Sequence, residues 1–173
     1  MTARALVCRI LPAIAITTAS LAAAAPTLTG TWVPDRAAST QSKELKQTPA
    51  PGAPPAQGIQ DRLPALRIRH DEPRVRIEFL GDDGSVISTT ELTTDGAENV
   101  NTRAGGALTH KSRTGWDGTI LRTTWKIERN GQTVIAGTDE HELASPDTLV
   151  MTTTTEDAKS RSRSVIVYRR RQL

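Results

Sequence analysis

The sequence predicts an all-β fold, an antiparallel up-and-down meander of about eight to ten strands. Three observations predict it. Thr, which favours strands, occurs 25 times among 173 residues. After residue 62, runs rich in Val, Ile and Thr recur about every ten residues, separated by the Gly, Asp and Asn clusters that are typical of hairpin turns. No segment of useful length shows the helical spacing of apolar residues.

Residues 1–25 have the features of a secretory signal peptide and are excluded from the predicted fold. They begin with two arginines, continue with an apolar run and end in small residues. We expect cleavage after Ala24 or Ala25, which makes the protein exported, and either periplasmic or extracellular. An uncleaved anchor is the alternative, but the apolar run is short and contains Pro12, so no stable membrane insertion is expected.

The charge balance of the mature chain argues against nucleic acid as a partner. Without the two arginines of the signal, 20 basic residues face 19 acidic ones. A nucleic-acid-binding domain normally carries a marked basic excess on one face. The single cysteine, Cys8, also lies in the signal, so packing alone must stabilise the mature protein, without a disulfide.

The mature chain divides into three segments of one barrel domain. Residues 26–39 predict a first strand over 28–33 and then a short helical turn capped by Asp35. Residues 40–61 lose their apolar content and are rich in proline, which predicts a long loop. Residues 62–173 supply the β-meander that completes the domain.

The alternation of side chains predicts the register of each hairpin, because residues that face each other on neighbouring strands must leave one face of the sheet apolar. A two-residue turn at Asn130-Gly131 gives one apolar, Thr-rich face and one charged face, which carries Asp139 and His141. The same alternation places Val86 on the inward face. The inward residues that we take as candidates for ligand binding are Phe79, His110, Trp116, Thr123, Trp125, Thr138, Glu140 and Tyr168.

Closure of the meander into a barrel would remove its exposed edges. About eight strands enclose either a side-chain core or one small ligand. Thr and Ser are as common as Leu and Val on the predicted inner face. Because such a face is less apolar than a core requires, the sequence predicts a cavity.

The first strand carries a G-x-W motif, Gly30-Thr31-Trp32. It resembles the opening motif of lipocalins and related calycin-type barrels. In that family the tryptophan closes one end of the barrel and stacks near a late arginine. The resemblance therefore implies a barrel-closing role for Gly30 and Trp32, with Arg169 or Arg170 as the partner.

The rest of the chain extends this resemblance. The G-x-W motif, a proline-rich segment, the pattern TDGxExxN from Thr94 and the WDG sequence from Trp116 look like those of exported, uncharacterised bacterial lipocalin-like proteins. The resemblance implies a lipocalin-like barrel but no established activity. The loop after the first strand is longer and richer in proline than in true lipocalins, so the ligand-mouth loops of that family cannot be mapped onto this chain.

Ionisable residues on the predicted inner face have two interpretations each. Glu140 and Glu142 either polarise a ligand or reach water at the rim. His110, beside Trp125, either meets a ligand or packs as a hydrogen-bonded residue. Alternation along residues 139–142 separates their side chains between the two faces, so no metal site is predicted, and no cofactor.

Four arginines on one hairpin form a positive face that could hold an acidic polymer or a lipid headgroup: Arg67, Arg69, Arg74 and Arg76. A loop over residues 81–84 sets Arg74 opposite Glu91. Because opposite charges then face each other, a solvated, salt-bridged outer face is the favoured interpretation.

Catalysis is not expected. The mature chain contains no cysteine nucleophile and no serine elbow, and its three histidines lie far apart in the sequence. The derived register separates Glu140 from His110 by about 13 Å, which is too far for direct proton transfer.

The sequence therefore predicts an exported lipocalin-like module that binds a small, partly apolar or amphipathic ligand inside its barrel. The alternative is an envelope interaction or structural protein with a filled barrel, which contacts a polymer or a protein partner. The volume of the barrel interior discriminates between the two hypotheses.

Overall fold

A computed structural model describes residues 26–45, 63–103 and 108–171. These residues form ten antiparallel strands and no helix. The strands are β1 Gly30–Leu45, β2 Ala65–Asp71, β3 Arg74–Leu80, β4 Val86–Thr93, β5 Asp95–Arg103, β6 Leu108–Asp117, β7 Ile120–Arg129, β8 Gln132–Ser145, β9 Thr148–Asp157 and β10 Ser160–Arg170. The predicted all-β meander is confirmed, whereas the expected signal peptide lies outside the described residues.

One sheet contains all ten strands, in the order β4-β3-β2-β1-β10-β9-β8-β7-β6-β5. Each hairpin pairs neighbours in the sequence, and β1 also pairs with β10, the last strand of the described chain. The sheet curls until its edges, β4 and β5, meet. There the Asn99 side-chain amide donates to the Thr93 hydroxyl at 3.4 Å. The result is a nearly closed barrel.

Strand β1 contains a bulge where a helical turn was predicted. Its ladder with β10 shifts between Asp35 and Thr40. The Asp35 carboxylate accepts the Ala38 N–H at 3.2 Å, and the Ser39 hydroxyl accepts the Val167 N–H at 3.1 Å. The predicted capping by Asp35 is therefore present, but it stabilises a bulge, because the chain beyond it pairs with β10 again. Residues 40–45 of the predicted loop are strand, and its remainder lies outside the described residues.

A second bulge makes the predicted register of β8 wrong. The β7–β8 hairpin begins as expected, with Arg129 opposite Gln132, but Ile127 then faces Ile135 rather than Val134. One extra residue in a strand moves every later side chain to the other face. Beyond this bulge, β8 therefore has the opposite inward and outward faces from those predicted. A further irregularity between Leu143 and Ser145 restores the predicted faces of β9.

A smaller shift changes the β3–β4 hairpin. Leu80 pairs with Val86 directly after the pair Phe79–Ser88, so Val86 leaves the predicted inner face and is 48% exposed. The same shift places Arg76, and not Arg74, opposite Glu91.

Apolar side chains fill one end of the barrel, which we call the closed end. Trp32 is fully buried there, and its Nε1–H donates to the Leu28 carbonyl at 3.0 Å. Of the two arginines considered as its partner, Arg170 lies over the indole at 4.2 Å from the ring centroid. The Arg170 guanidinium also donates to the Thr29 carbonyl at 2.7 Å. A Cβ atom at Gly30 would stand 2.5 Å from Arg170 Nη1, so this approach requires glycine.

Glu72, in the β2–β3 turn, joins the two edges of the sheet at the closed end. Its carboxylate accepts hydrogen bonds from the Thr94 hydroxyl and, at 2.6 Å, from Trp116 Nε1. His70 Nε2 lies 2.9 Å from the same carboxylate. Partial burial raises the pKa of Glu72, but these three partners outweigh it and leave the pKa lowered. Glu72 therefore links β2 and β3 to the residues that begin β5 and end β6.

Candidate functional site

Beyond the closed end, the barrel interior contains a cavity of about 760 Å³. One wall comes from β3 and β4 and mixes apolar with polar and charged residues: Arg76, Ile77, Phe79, Thr89, Thr90, Glu91 and Leu92. The opposite wall is mainly polar and comes from β6, β7 and β8. Its residues are His110, Ser112, Thr123, Trp125, Ile127, Asp139 and His141. Apolar and polar side chains therefore both line the cavity.

Small residues on the inner face create this space. Ser112, Trp125 and Gly137 are direct neighbours across β6, β7 and β8. A Cβ atom at Gly137 would overlap the Trp125 ring. The missing side chain therefore leaves the room beside Gly137 that the indole occupies.

Trp125 is the centre of the polar wall. Its ring stands 6.1 Å from the His110 ring, between centroids, at an angle of 32°. Its Nε1–H is buried and has no hydrogen-bond partner among the described residues. An unsatisfied buried donor costs about 1–3 kcal/mol. The Asp139 carboxyl lies close enough to this N–H for the indole to oppose the rise of its pKa.

Asp139 lies on the same wall, opposite Thr123 on one side and Thr153 on the other. Burial raises the pKa of its carboxyl group. Thr153, the nearby Trp125 N–H and the His110 ring oppose this rise without cancelling it. The interior therefore favours the uncharged carboxylic acid more than water does.

His141 is the third ionisable residue of the wall and the most deeply buried. Desolvation lowers its pKa to about 4, and the Leu121 backbone opposes the change only in part. The imidazole is therefore neutral at pH 7. Its Nδ1 is buried without a hydrogen-bond partner in the described part of the chain. Trp125 Nε1 and His141 Nδ1 are thus both buried without a geometrically formed hydrogen bond within the described part of the chain.

The eight predicted ligand-binding residues fall into three groups. Four line the cavity, namely Phe79, His110, Thr123 and Trp125. Two belong to the closed end: Trp116 donates to Glu72, and Tyr168 is buried in the core, where burial raises its pKa. Thr138 and Glu140 lie on the outer face, which corrects the prediction. The Glu140 carboxylate there accepts a hydrogen bond from Arg122 Nε at 3.0 Å.

Sequence reasoning missed Asp139 and His141, which it placed outside. The cause is the bulge of β8, because strict alternation of inward and outward side chains includes no extra residue. One signal was present in the sequence. Val134 and Ile135 are consecutive apolar residues immediately after the turn, and strict alternation cannot place both on one face. Val134 is exposed, as the extra residue should be.

The outer face of β2, β3 and β4 is ion-paired. Arg67 and Arg76 lie 3.0 and 3.1 Å from the Glu78 carboxylate, and Arg76 also lies 3.1 Å from Glu91. The pKa of Glu78 is lowered, since these two arginines outweigh its partial burial. Two of the four arginines, Arg67 and Arg76, therefore have ion-pair partners as the salt-bridged interpretation predicts, whereas Arg74 lies opposite Thr93 rather than Glu91.

Within residues 26–45, 63–103 and 108–171, no group of three or more His, Cys, Asp or Glu side chains is arranged to hold a metal ion. No helix in the same ranges is long and apolar enough to cross a membrane.

No protein-family model matches this sequence, and neither does any curated protein.

Proposed function

We propose that this protein is an exported, lipocalin-like module that binds one small, partly apolar molecule inside its barrel. The observation that carries the proposal is the cavity of about 760 Å³, which both apolar and polar side chains line. Ligand sites for small molecules commonly have about 300–1,000 Å³ and combine apolar lining with a few placed polar groups. The stacking of Arg170 on Trp32 supports the lipocalin-like part of the proposal.

The same cavity argues against the alternative hypothesis of a filled barrel. In a filled barrel, Phe79, Trp125 and Met151 would interdigitate, whereas here all three line one open space. The pairing of Arg67 and Arg76 with Glu78 also removes much of the reason to expect an acidic polymer on the outer face.

We further propose that the protein binds its ligand without catalysing a reaction. The separation of Glu140 from His110 no longer supports this proposal, because Glu140 lies on the outer face. Other features support it. His141 is a weak base at neutral pH, since its pKa is about 4. Asp139 and His110 lie at different levels of the β6–β8 ladder, with Thr114 level with Asp139.

Two matched variants test ligand binding. Thr90 on β4 pairs with Ile77 and lines the cavity, whereas Thr152 on β9 pairs with Glu140 on the outer face. The probe is N-phenyl-1-naphthylamine, an uncharged dye whose fluorescence rises in apolar surroundings. We expect saturable binding that Thr90→Phe weakens at least about tenfold and Thr152→Phe leaves unchanged. Absence of binding, or equal loss in both variants, would refute the proposal.

Export is tested separately. The full chain is expressed in a Gram-negative host, and the N-terminus of the protein in the periplasmic and culture fractions is determined. We expect a mature form that begins at Ala25 or Pro26. Retention of residue 1 on protein in the cytoplasm would contradict export without affecting the binding test.

A further inference from the structure

We infer that the ligand carries one positive charge, such as an ammonium group, which pairs with the Asp139 carboxylate, while its hydrocarbon part lies on the apolar side chains of β3 and β4. The inference rests on the proposed function and specifies the ligand class of the same cavity. It starts from the carboxylates that line the cavity, Glu91 and Asp139. Among the described residues, Glu91 has an arginine within ion-pair distance and Asp139 has no cation there.

The two other permanent charges of the lining, on Arg76 and Glu91, neutralise each other. Arg76 Nη1 lies 3.1 Å from Glu91 Oε1, and Arg76 Nε lies 3.1 Å from the Glu78 carboxylate. Arg76 and Glu91 face each other across β3 and β4, and their side chains are 47% and 72% exposed. They therefore form a solvated ion pair at the rim of the cavity, and this pair adds no net charge to the interior.

The histidines of the lining supply no permanent positive charge either. His141 is neutral at pH 7, because burial lowers its pKa to about 4. The charge of His110 is the weakest of the influences that oppose the rise in the Asp139 pKa. His110 also lies four residues along β6 from Thr114, which is level with Asp139. With neutral imidazoles and an ionised Asp139, the lining has one positive and two negative charges, a net charge of −1.

The Asp139 side chain lines the cavity and is only partly buried. Desolvation is the largest influence on its carboxyl group and raises the pKa, and Thr153 and the Trp125 N–H oppose this rise only in part. A cation beside a carboxylate favours its ionised form, so a ligand ammonium would replace the solvation that Asp139 loses in the barrel. A ligand anion would be repelled by Asp139, and Arg76 at the rim already has two carboxylate partners.

The apolar side chains of the cavity select the rest of the ligand. Ile77 and Phe79 from β3 and Leu92 from β4 line the same space as Asp139. Removing hydrocarbon from water against these side chains favours binding roughly in proportion to the area buried. A molecule with one ammonium group and a hydrocarbon body therefore satisfies both the carboxylate and the apolar surface.

The test compares three compounds that share a ten-carbon chain: decylamine, 1-decanol and decanoate. Each displaces N-phenyl-1-naphthylamine from the purified mature protein at pH 8, where the amine is protonated. All compounds are kept below the concentration at which they form micelles. We expect decylamine to bind about tenfold more tightly than 1-decanol, the effect of one hydrogen bond between charged groups, and decanoate to bind most weakly.

Three variants locate the charge that holds the amine. Asp139→Asn removes the charge but keeps the size of the side chain, so the ratio of amine to alcohol affinity should fall to about one. Glu140→Gln is the matched control, because it removes a carboxylate from the outer face at the next position of β8, and it should keep the tenfold ratio. Glu91→Gln should keep the preference for the amine as well. A ratio of affinities within each variant is insensitive to modest changes in stability.

The outcomes separate the two proposals. If the dye binds but decylamine does not bind more tightly than 1-decanol and decanoate, or if Asp139→Asn keeps the preference for the amine, the ligand class is wrong and the binding function stands. Loss of the preference in Glu91→Gln would also overturn the inference, because the rim would then hold the cation. If neither the dye nor any of the three compounds binds, the binding function itself is refuted, and this inference with it.

Discussion

The two halves of the barrel interior are formed by the same strands, but one half is a packed core and the other contains the cavity. At the closed end, inward residues are large and their polar atoms are paired: Trp32 donates to Leu28, and Trp116 donates to Glu72. In the cavity, several inward residues are serine, threonine or glycine, and Trp125 Nε1 makes no well-formed hydrogen bond within the described residues. One continuous ladder along β6, β7 and β8 supplies both regions.

This difference shows that inward orientation alone does not make a core. Leu121 and Leu149 fill the closed end because they are bulky and meet Tyr168 across the sheet. Two residues beyond Leu121 and four beyond Leu149, the inward positions hold Thr123 and Thr153, which are shorter side chains. Side-chain packing therefore stabilises mainly the closed end, whereas the buried polar atoms without a hydrogen bond lie at the other end.

The largest expected effect is the contrast between two tryptophans. Trp32→Ala should lower the free energy of unfolding by about 3–5 kcal/mol, because a fully buried large side chain leaves a cavity behind. Trp125→Ala should cost about 1–2 kcal/mol, since that ring already borders empty space. Urea denaturation of both variants measures the difference. Equal losses would mean that the cavity wall supports the fold as much as the closed end does.

The second effect is a pH dependence located in the cavity. His141 has a folded-state pKa of about 4, below the ordinary value of 6.5. Between these two values, the unfolded chain takes up a proton that the folded chain does not. The free energy of unfolding should therefore fall by about 3 kcal/mol as the pH drops from 6.5 to 4. His141→Gln should remove this part of the loss in denaturation curves recorded across that range, and an unchanged pH profile would contradict the assignment.

Asp139 should make the free energy of unfolding depend on pH in the opposite direction. Its raised pKa means that the folded state binds a proton more readily than the unfolded state, so this contribution is present at low pH and is lost as the pH rises through the folded pKa. Asp139→Asn should consequently gain stability relative to wild type as the pH rises from 4 to 7. A constant difference between the two proteins over that range would show that Asp139 does not titrate abnormally.

At the closed end, replacing Glu72 should have an intermediate effect on stability. Glu72→Ala leaves Trp116 Nε1 and the Thr94 hydroxyl without their acceptor, and we expect a loss of about 1–2 kcal/mol. Asp71→Asn, at the neighbouring position, is the control and should change little. Thermal unfolding of the two variants provides the comparison. If both behave alike, Glu72 does not hold the two edges together.

The smallest effect belongs to the outer face. Arg76→Gln removes contacts with Glu78 and Glu91, but Arg76 is substantially exposed, so we expect a loss below about 1 kcal/mol. Salt screening should reduce the loss further when denaturation is repeated at high ionic strength. A larger, salt-independent loss would mean that these pairs contribute to the fold.

The sequence predicts strands and faces well wherever the turns are tight and no residue is extra. The β6–β7 hairpin keeps its predicted faces, although its turn lies at Gly118-Thr119 rather than at Asp117-Gly118, which sets His110 opposite Ile127 instead of Trp125. The residues of the polar wall could not be predicted from the turns in the same way. A bulge at Val134 adds one residue to β8 without changing the turn before it. The burial of Asp139 and His141 depends on that single residue, and composition cannot reveal it.

The edges of the sheet have a consequence for motion. β4 and β5 close the barrel by side-chain contact, whereas β1 and β10 share a backbone ladder of ten residue pairs. Separating the edges breaks few backbone hydrogen bonds, and exposed Ile87 and Val100 lie on those two strands. Amide hydrogens of β4 and β5 should therefore exchange with deuterium well before those of β10. Separation of β4 from β5 would open the barrel along one line and let a molecule enter the interior.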